Sequence, residues 1–291
     1  MPESFMDLWH SRRLLKAIKN FLILVVVLPY QKVLLTGILL VVWFLFRLIG
    51  VRIRVKGDFK ITLRTICLLD HKSIADPFWA ELAILWWRII LNIRYWPVNL
   101  VKDVWMPDWV KPIGHYFWCI PVPARHDKTK DRKPLIGQTL AKVRQEREVV
   151  RLESFEILNE EDGRIVINFP VGTRTGKVID PEEAHQNVFH YLLVKNVNVC
   201  LFAVVGSLGL GSKEEGFKVI EWRPTPFGFK IPRRIRREVA VIGCDYDPTK
   251  AVQEYNLALE ERKGEAEIRV IMQKYVTEMV SIIKEMAEAH S

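Results

Sequence analysis

The chain has 291 residues, 49% of them hydrophobic, which is enough for a substantial core and is typical of one main domain with an appendage. Its 43 Lys and Arg outnumber its 34 Asp and Glu, and the net charge of +9 suits an anionic membrane, phosphorylated substrates or nucleic acid. The four cysteines lie far apart and form no C-x-x-C pair, so neither a zinc site nor a disulfide framework is indicated, and a reduced cytosolic setting is expected.

The first 56 residues contain two short apolar runs with a break between them. Residues 21–28 are apolar, residues 29–32 contain Pro29 and Lys32, and residues 33–46 are apolar again. Neither run reaches the stretch of about 20 residues that spans a bilayer as a helix. We therefore predict a membrane-anchoring helical hairpin over residues 1–56, with its corner at residues 29–32. A single kinked helix that crosses the membrane is the alternative.

Basic residues flank this segment on both sides, and they predict that both of its ends stay at the anionic cytoplasmic face. No small-residue cleavage site follows the apolar runs, which argues against a secretory signal peptide. The basic residues are Arg12, Arg13, Lys16 and Lys19 before the segment, and Arg47, Arg52, Arg54 and Lys56 at its end.

From residue 57 onward, short β-rich runs alternate with longer helical ones, as in an α/β domain. We predict a catalytic domain over residues 57–291 that is built as a mixed central sheet flanked by helices. The expected strands are 62–69, 95–101, 165–169, 197–205 and 237–244, and the expected helices are 74–90, 135–158 and 184–195. Apolar residues spaced by three or four over 268–286 predict a C-terminal amphipathic helix.

A polar cluster follows the first of these strands, where α/β proteins often carry reactive groups. His71 and Asp76 are five residues apart and would not meet on one continuous helix. They pair only if the chain turns between them and Asp76 lies in the first helical turn. Ser73 is a candidate N-cap for that turn. In that geometry Asp76 accepts the Nδ1–H of His71, and Nε2 faces a substrate hydroxyl. A solvated turn is the alternative interpretation.

A second cluster, at residues 169–176, follows the predicted strand 165–169. Gly172 permits a close backbone approach, Thr173 offers a hydroxyl donor, and Arg174 offers a planar fork that suits phosphate. Lys102 and Arg125 are further cations near predicted strand ends. Cations around one general base indicate an acceptor that carries both a hydroxyl and a phosphate, whereas isolated surface charges are the alternative.

These motifs, in this order, resemble the glycerolipid acyltransferase family, which includes lysophosphatidic acid and glycerol-3-phosphate acyltransferases, over roughly residues 57–245. The H-x4-D motif of the family matches His71 and Asp76, and its F-P-E-G-T-R-S motif matches residues 169–175 apart from position 171. The resemblance implies that His71 is the general base and that Asp76 orients it. It implies acceptor-phosphate contacts from Arg125, Gly172, Thr173 and Arg174, with Lys102 at a basic position often found there.

The sequence departs from the family pattern at several places. Val171 stands where the family has Glu, Asp70 stands where Asn is usual, Cys119 replaces a Gly of the second motif, and residues 199–204 lack the usual Pro of the fourth motif. A carboxylate at position 171 would help to organise the acceptor and the loop. The absence of this carboxylate bears on which acceptor is used more than on whether acyl transfer occurs.

The resemblance implies an acyltransferase that moves a fatty acyl group from acyl-CoA or acyl carrier protein to the hydroxyl of lysophosphatidic acid, giving phosphatidic acid. We expect no cofactor and no metal, because a thioester is already activated. The expected partners are membrane lipids, the lysophospholipid acceptor and the acyl donor. Nucleic acid is not expected, because no binding motif accompanies the charge. Alternatives are transfer to another lysolipid or to glycerol-3-phosphate, and a non-catalytic membrane lipid-binding protein of the same fold.

One more basic stretch, at residues 230–237, is open to two interpretations. It contains Lys230, Arg233, Arg234, Arg236 and Arg237. It either docks on anionic lipid or an acidic carrier protein, or forms a solvated charged face.

Overall fold

The computed structural model describes ten segments of the chain, which together form an α/β domain. The segments are residues 28–48, 50–70, 76–86, 97–102, 119–122, 137–159, 164–171, 179–207, 222–232 and 237–290.

Five α-helices and two 3-10 segments lie within these residues. The helices are α1 (Leu28–Leu48), α2 (Asp76–Trp86), α3 (Gly137–Asn159), α4 (Thr249–Glu260) and α5 (Glu265–Glu288). The 3-10 segments are Pro181–Glu183 and Gln186–Leu193.

Nine strands lie within the same residues and form two sheets. They are β1 (Val51–Asp58), β2 (Thr65–Leu69), β3 (Val98–Lys102), β4 (Cys119–Val122), β5 (Ile165–Asn168), β6 (Asn198–Val205), β7 (Trp222–Pro224), β8 (Lys230–Pro232) and β9 (Arg237–Tyr246). The main sheet has seven strands in the order β1-β9-β6-β2-β5-β3-β4, and β7 and β8 form a separate antiparallel hairpin.

The main sheet is mixed, and its five consecutive strands β6-β2-β5-β3-β4 are all parallel to one another. Strand β9 runs antiparallel to β6, and β1 runs parallel to β9. The carboxyl ends of the five parallel strands therefore meet at one edge, which also holds the amino ends of β9 and β1. We call this the carboxyl edge.

Each face of the sheet carries its own apolar cluster, because successive side chains of a strand point to opposite faces. Ile66 and Leu68 of β2 point to the face covered by α3, α4, α5 and the 3-10 segments. Cys67 and Leu69 point to the face covered by α2, where Trp79 is fully buried. Helix α1 joins this second face, since the rings of Phe46 and Trp79 meet edge to face at 4.9 Å between centroids.

All five predicted strands and the helices at 135–158 and 268–286 are confirmed, with shifted ends. Strand 197–205 is β6, and strand 237–244 is β9. The helix predicted at 74–90 is present as α2 over Asp76–Trp86, and its other residues lie outside the described segments. The helix predicted at 184–195 is wrong in type, because its central part, Gln186–Leu193, is a 3-10 helix.

The predicted corner at residues 29–32 is wrong. Pro29 and Lys32 belong to the first turns of α1, which continues without a break to Leu48. Proline is compatible with a first helical turn, where its missing N–H has no intrahelical partner to lose. Residues 21–27, the first arm of the predicted hairpin, lie outside the described segments. No helix in the described part of the chain is long and apolar enough to cross a bilayer.

The main sheet begins before residue 57, the predicted start of the catalytic domain. Strand β1 pairs with β9 along its whole length, from Val51 beside Arg237 to Asp58 beside Cys244. Arg52, Arg54 and Lys56 predict a basic flank of the N-terminal segment, whereas in the structure they belong to this strand. The described sheet therefore includes the last residues of that segment.

The pairing of β1 with β9 depends on two facing glycines, which gives a test of the fold. Gly57 has φ +102°, and a Cβ there would lie 1.9 Å from the carbonyl oxygen of Gly243. Gly57→Ala should lower the free energy of unfolding by about 3 kcal/mol, because backbone strain and a steric clash add. Gly228→Ala is the matched control, since Gly228 has φ +81° with nothing within 4 Å of the added Cβ.

Urea unfolding measures both variants, and Gly228→Ala should cost about 1 kcal/mol. Equal losses in the two variants would contradict the close approach of β1 and β9.

Candidate functional site

The sequence motifs follow strands that all end at the carboxyl edge. His71 and Asp76 come after β2, Lys102 is the last residue of β3, Arg125 follows β4, and the segment that starts at Gly172 follows β5. In parallel sheets, ligands bind outside the carboxyl ends of the strands. The strand order therefore brings the starting points of all four predicted segments to one side of the sheet.

The structure describes the predicted site residues to different extents. Asp76 is described with its side chain, and Lys102 by its backbone at the end of β3. The remaining five lie outside the described residues, and their predicted roles stay predictions. They are His71, Arg125, Gly172, Thr173 and Arg174.

Asp70 closes the central strand at the carboxyl edge. Its side chain is fully buried, its backbone N–H donates to the carbonyl of Phe202 at 3.3 Å, and its Oδ1 accepts from the N–H of Val204 at 2.9 Å. The carboxylate thus continues the β2–β6 ladder by one hydrogen bond, just before the chain reaches His71. Sequence reasoning noted Asp70 only as a departure from the family's Asn, and an Asn oxygen is able to accept the same bond.

Asp76 begins α2 as a fully buried carboxylate. Pro77 follows it in the first helical turn, which proline tolerates, and Trp79 one turn later packs in the apolar cluster on the same face. An acidic group at a helix amino terminus interacts favourably with the helix dipole. The first-turn position that the His71–Asp76 pairing requires is therefore confirmed for Asp76.

The exit of β5 is anchored on both faces of the sheet. The side-chain oxygen of Asn168 accepts from the N–H of Phe169 at 2.7 Å, and Phe169 packs against the cluster on the α2 face. The carbonyl of Pro170 accepts from the N–H of His185 at 2.8 Å. Val171 is buried in the cluster on the opposite face. The strand therefore leaves the sheet in a fixed direction.

Val171 and Ile179 are both buried in the same apolar cluster. They bracket residues 172–178, the segment that contains Gly172, Thr173 and Arg174. Beyond it, Asp180 caps a 3-10 turn by accepting from the N–H of Glu182 at 3.0 Å. Both ends of the predicted phosphate-binding segment are thus tied to the core. The position where the family has Glu is a core position in this chain.

Three of the four thiols are unsuited to nucleophilic chemistry. Burial raises the pKa of Cys67 and of Cys200. The pKa of Cys200 is raised further by the neighbouring Cys67 and by Asp245, which accepts its hydrogen bond. Burial also raises the pKa of Cys244, followed by the charge of Asp245. Because the thiolate is the nucleophile, these cysteines stay protonated and inert at neutral pH.

A second group of polar side chains lies on the opposite face and belongs to the packing of α3. Burial, followed by the charge of Arg151, lowers the pKa of His190 to about 4, although Glu148 acts in the other direction. Tyr191 shares a 2.9 Å hydrogen bond with Ser154, and burial raises the pKa of Tyr191 to about 12. His190 is neutral at physiological pH and sits across the sheet from the face that holds Asp76. No motif in the sequence marks this group.

A scan against protein-family models found no match, and a search of curated proteins found none either. Within the described residues, no group of three or more His, Cys, Asp or Glu side chains is arranged to hold a metal ion.

Asp70 gives a test of how the strand end is held. Asp70→Ala removes the acceptor of a buried N–H group and should lower the free energy of unfolding by about 1–3 kcal/mol. Asp70→Asn keeps an acceptor oxygen and should stay within about 1 kcal/mol of the native chain. Chemical denaturation compares the two. An Ala variant as stable as the Asn variant would show that the Val204 bond contributes nothing.

Val171 gives a test of the altered loop. Val171→Glu puts a carboxyl group into the apolar cluster and should lower the free energy of unfolding at pH 7 by at least about 2 kcal/mol. Burial raises the pKa of such a carboxyl above its unfolded value of about 4.3, so the native state holds the proton more tightly. The loss should therefore shrink as the pH falls toward that value.

Val171→Gln is the matched control for this test, because it has a similar shape and does not titrate. Its loss of stability should not vary with pH. A Glu variant with native stability at pH 7 would mean that side chains at position 171 reach solvent or the site.

Proposed function

We propose that the chain is a membrane-surface acyltransferase. It moves a fatty acyl group from acyl-CoA or acyl carrier protein to the hydroxyl of lysophosphatidic acid, giving phosphatidic acid. The observation that carries the proposal is the common carboxyl edge of β2, β3, β4 and β5, together with the buried carboxylate of Asp76 at the start of α2. A general base, its orienting carboxylate and several cations all follow in sequence from that edge.

In this reaction His71 is the general base. It takes the proton of the acceptor hydroxyl while the oxygen attacks the thioester carbonyl. The C–O bond forms, the C–S bond breaks, and the proton passes from the imidazolium to the leaving thiolate. Asp76 accepts the other ring N–H and thereby fixes the tautomer and orientation of His71. The buried position of Asp76 suits this task, because a carboxylate away from water interacts strongly with an imidazolium.

The acceptor phosphate is held by the cations and donors at the other strand ends. Arg125 and Arg174 offer planar forks, and Lys102 offers a point charge. Gly172 and Thr173 offer backbone and hydroxyl donors between them. The burial of Val171 and Ile179 supports this role, because anchoring both ends of residues 172–178 lowers the entropic cost of ordering that segment on binding.

Helix α1 supports a location at the membrane surface. Its exposed side chains are largely apolar, and it leads into β1 at the carboxyl edge. A bilayer against α1 would bring lysophospholipid close to the site. We propose that α1 holds the chain on the cytoplasmic face in this way, by lying on the membrane surface rather than spanning it. The exposed apolar residues are Val33, Leu40, Val41, Trp43, Phe44, Leu45 and Leu48.

The burial of Val171 favours a second candidate, an acyltransferase for a different acceptor. Without a carboxylate next to Gly172, the site has one fewer group to organise the glycerol backbone of lysophosphatidic acid. Another lysolipid or glycerol-3-phosphate fits the same chemistry. A non-catalytic lipid-binding protein of the same fold would keep α1 and show no transfer.

The decisive experiment measures acyl transfer from labelled acyl-CoA and from acyl carrier protein to a panel of acceptors. The panel contains lysophosphatidic acid, glycerol-3-phosphate and neutral lysolipids. His71→Ala should lower the rate by at least about 100-fold, because it removes the general base. Asp76→Asn should also lower it by at least about 100-fold, because it disfavours the productive tautomer.

His290→Ala is the matched control, since His290 is exposed near the C-terminus and should leave the rate unchanged. Transfer to another acceptor, lost in His71→Ala, would keep the reaction and change the substrate. Full activity in His71→Ala, or no transfer with any donor and acceptor, would overturn the proposal.

A further inference from the structure

The β7–β8 hairpin displays two phenylalanines to solvent at its tip. Phe227 is 84% exposed and Phe229 is 56% exposed. Their rings stack on each other, with centroids 6.1 Å apart and planes tilted by 11°. Exposed aromatic side chains at a loop tip usually mark a binding surface, because single-chain folds bury most of their large apolar groups.

The hairpin turn is built to hold this pair in place. Thr225 donates its N–H to the carbonyl of Phe229 at 2.8 Å, and Gly228 donates to the carbonyl of Thr225 at 3.1 Å. The hydroxyl of Thr225 donates to the same carbonyl of Phe229 at 2.7 Å. Pro226 restricts the first corner, and Gly228 takes the left-handed conformation at φ +81° that closes a three-residue hairpin loop. The tip is therefore organised before anything binds.

The charge around the tip is entirely positive in the described hairpin. Arg223 precedes the tip, Lys230 follows it, and residues 222–232 contain no acidic residue. An uncharged aromatic tip between basic residues is the composition of segments that enter the interface of anionic bilayers.

The hairpin joins the sheet beside helix α1. The N–H of Arg237, the first residue of β9, donates to the carbonyl of Gly50, just after α1, at 3.3 Å. Only residues 233–236 separate Pro232 from Arg237, so the hairpin ends within about 18 Å of that point. The exposed apolar side chains of α1 and the aromatic tip thus connect to the same corner of the domain.

We propose that Phe227 and Phe229 insert into the interface of an anionic lipid bilayer. The hairpin is a second membrane contact, connected by residues 233–236 to the strand end that lies next to the end of α1. This contact requires no acyl donor or acceptor, so it stands or falls independently of the proposed reaction.

A photo-crosslinking experiment on the full chain tests the insertion directly. Phe227→p-benzoylphenylalanine keeps an aromatic side chain at the tip, and the same replacement at Val270 is the control, since Val270 is 69% exposed on α5. The chain is irradiated on vesicles of phosphatidylcholine mixed with phosphatidylglycerol, without donor or acceptor. We expect lipid adducts at position 227 at a yield at least about ten-fold above that at position 270.

A vesicle-binding measurement supplies the second readout. Phe227→Ser combined with Phe229→Ser should lower partitioning onto the same vesicles by about ten-fold or more, because the variant lacks the two phenyl rings that enter the bilayer. Leu259→Ser combined with Val270→Ser is the matched control and should change partitioning less than two-fold, since both residues are exposed on α4 and α5. Thermal unfolding confirms that both variants are folded.

Three results would overturn the proposal. The first is equal adduct yields at positions 227 and 270 on a chain that is bound to vesicles. The second is unchanged partitioning in the double Ser variant. The third comes from a second irradiation with acyl carrier protein added to the vesicles: a protein adduct at position 227 that displaces the lipid adduct would make the hairpin a docking site for the acidic donor.

Discussion

The hydrogen bond from the backbone of Val204 to the buried carboxylate of Asp70 fixes the place where the central strand ends. Strand β2 lies between β5 and β6, so its end is surrounded by other strand ends and cannot shift without breaking two ladders. A buried N–H without an acceptor costs about 1–3 kcal/mol, which makes the alternative registers unfavourable. The chain therefore leaves the sheet at one defined point, immediately before His71. It returns as α2 with Asp76 already buried.

Much of the sheet was predictable because its inner strands are covered on both faces. Strands β2 and β6 read as continuous apolar runs, which is typical of parallel strands under helices. The outer strand β1 is not among the predicted strands, because Arg52, Arg54 and Lys56 directly follow an apolar segment and have the composition of its basic flank. In the structure, the Arg and Lys side chains are exposed and Val51 is buried, which is the pattern of a strand with one wet face. Strand β4 is four residues long and gives no periodicity to detect.

The sequence indicates the order of the predicted site residues along the chain, but it does not indicate which residues near them are buried. The spacing of His71 and Asp76 required a turn between them, and the start of α2 at Asp76 agrees with that requirement. Nothing in the spacing indicated that Val171 is buried in the core, because burial of a loop residue depends on the 3-10 segments and α5, which pack against it from elsewhere in the chain. The same limit applies to the polar group at His190 and Tyr191, which forms only when the 3-10 segment meets α3.

Because the sheet is mixed, α1 and the β7–β8 hairpin, the two lipid-facing elements of our proposals, connect to neighbouring strand ends. If β9 and β1 had run parallel to the other five strands, their amino ends would lie at the opposite edge of the sheet from the end of β2. Because they are reversed, α1 enters β1 and the hairpin enters β9 at the carboxyl edge, next to each other. A lysophospholipid cannot leave the bilayer without exposing its acyl chain to water, which costs about 0.8 kcal/mol for each CH₂. Under the proposed function, this topology would let the acceptor keep its chain in the membrane while its hydroxyl reaches the edge where the proposed general base, His71, follows β2.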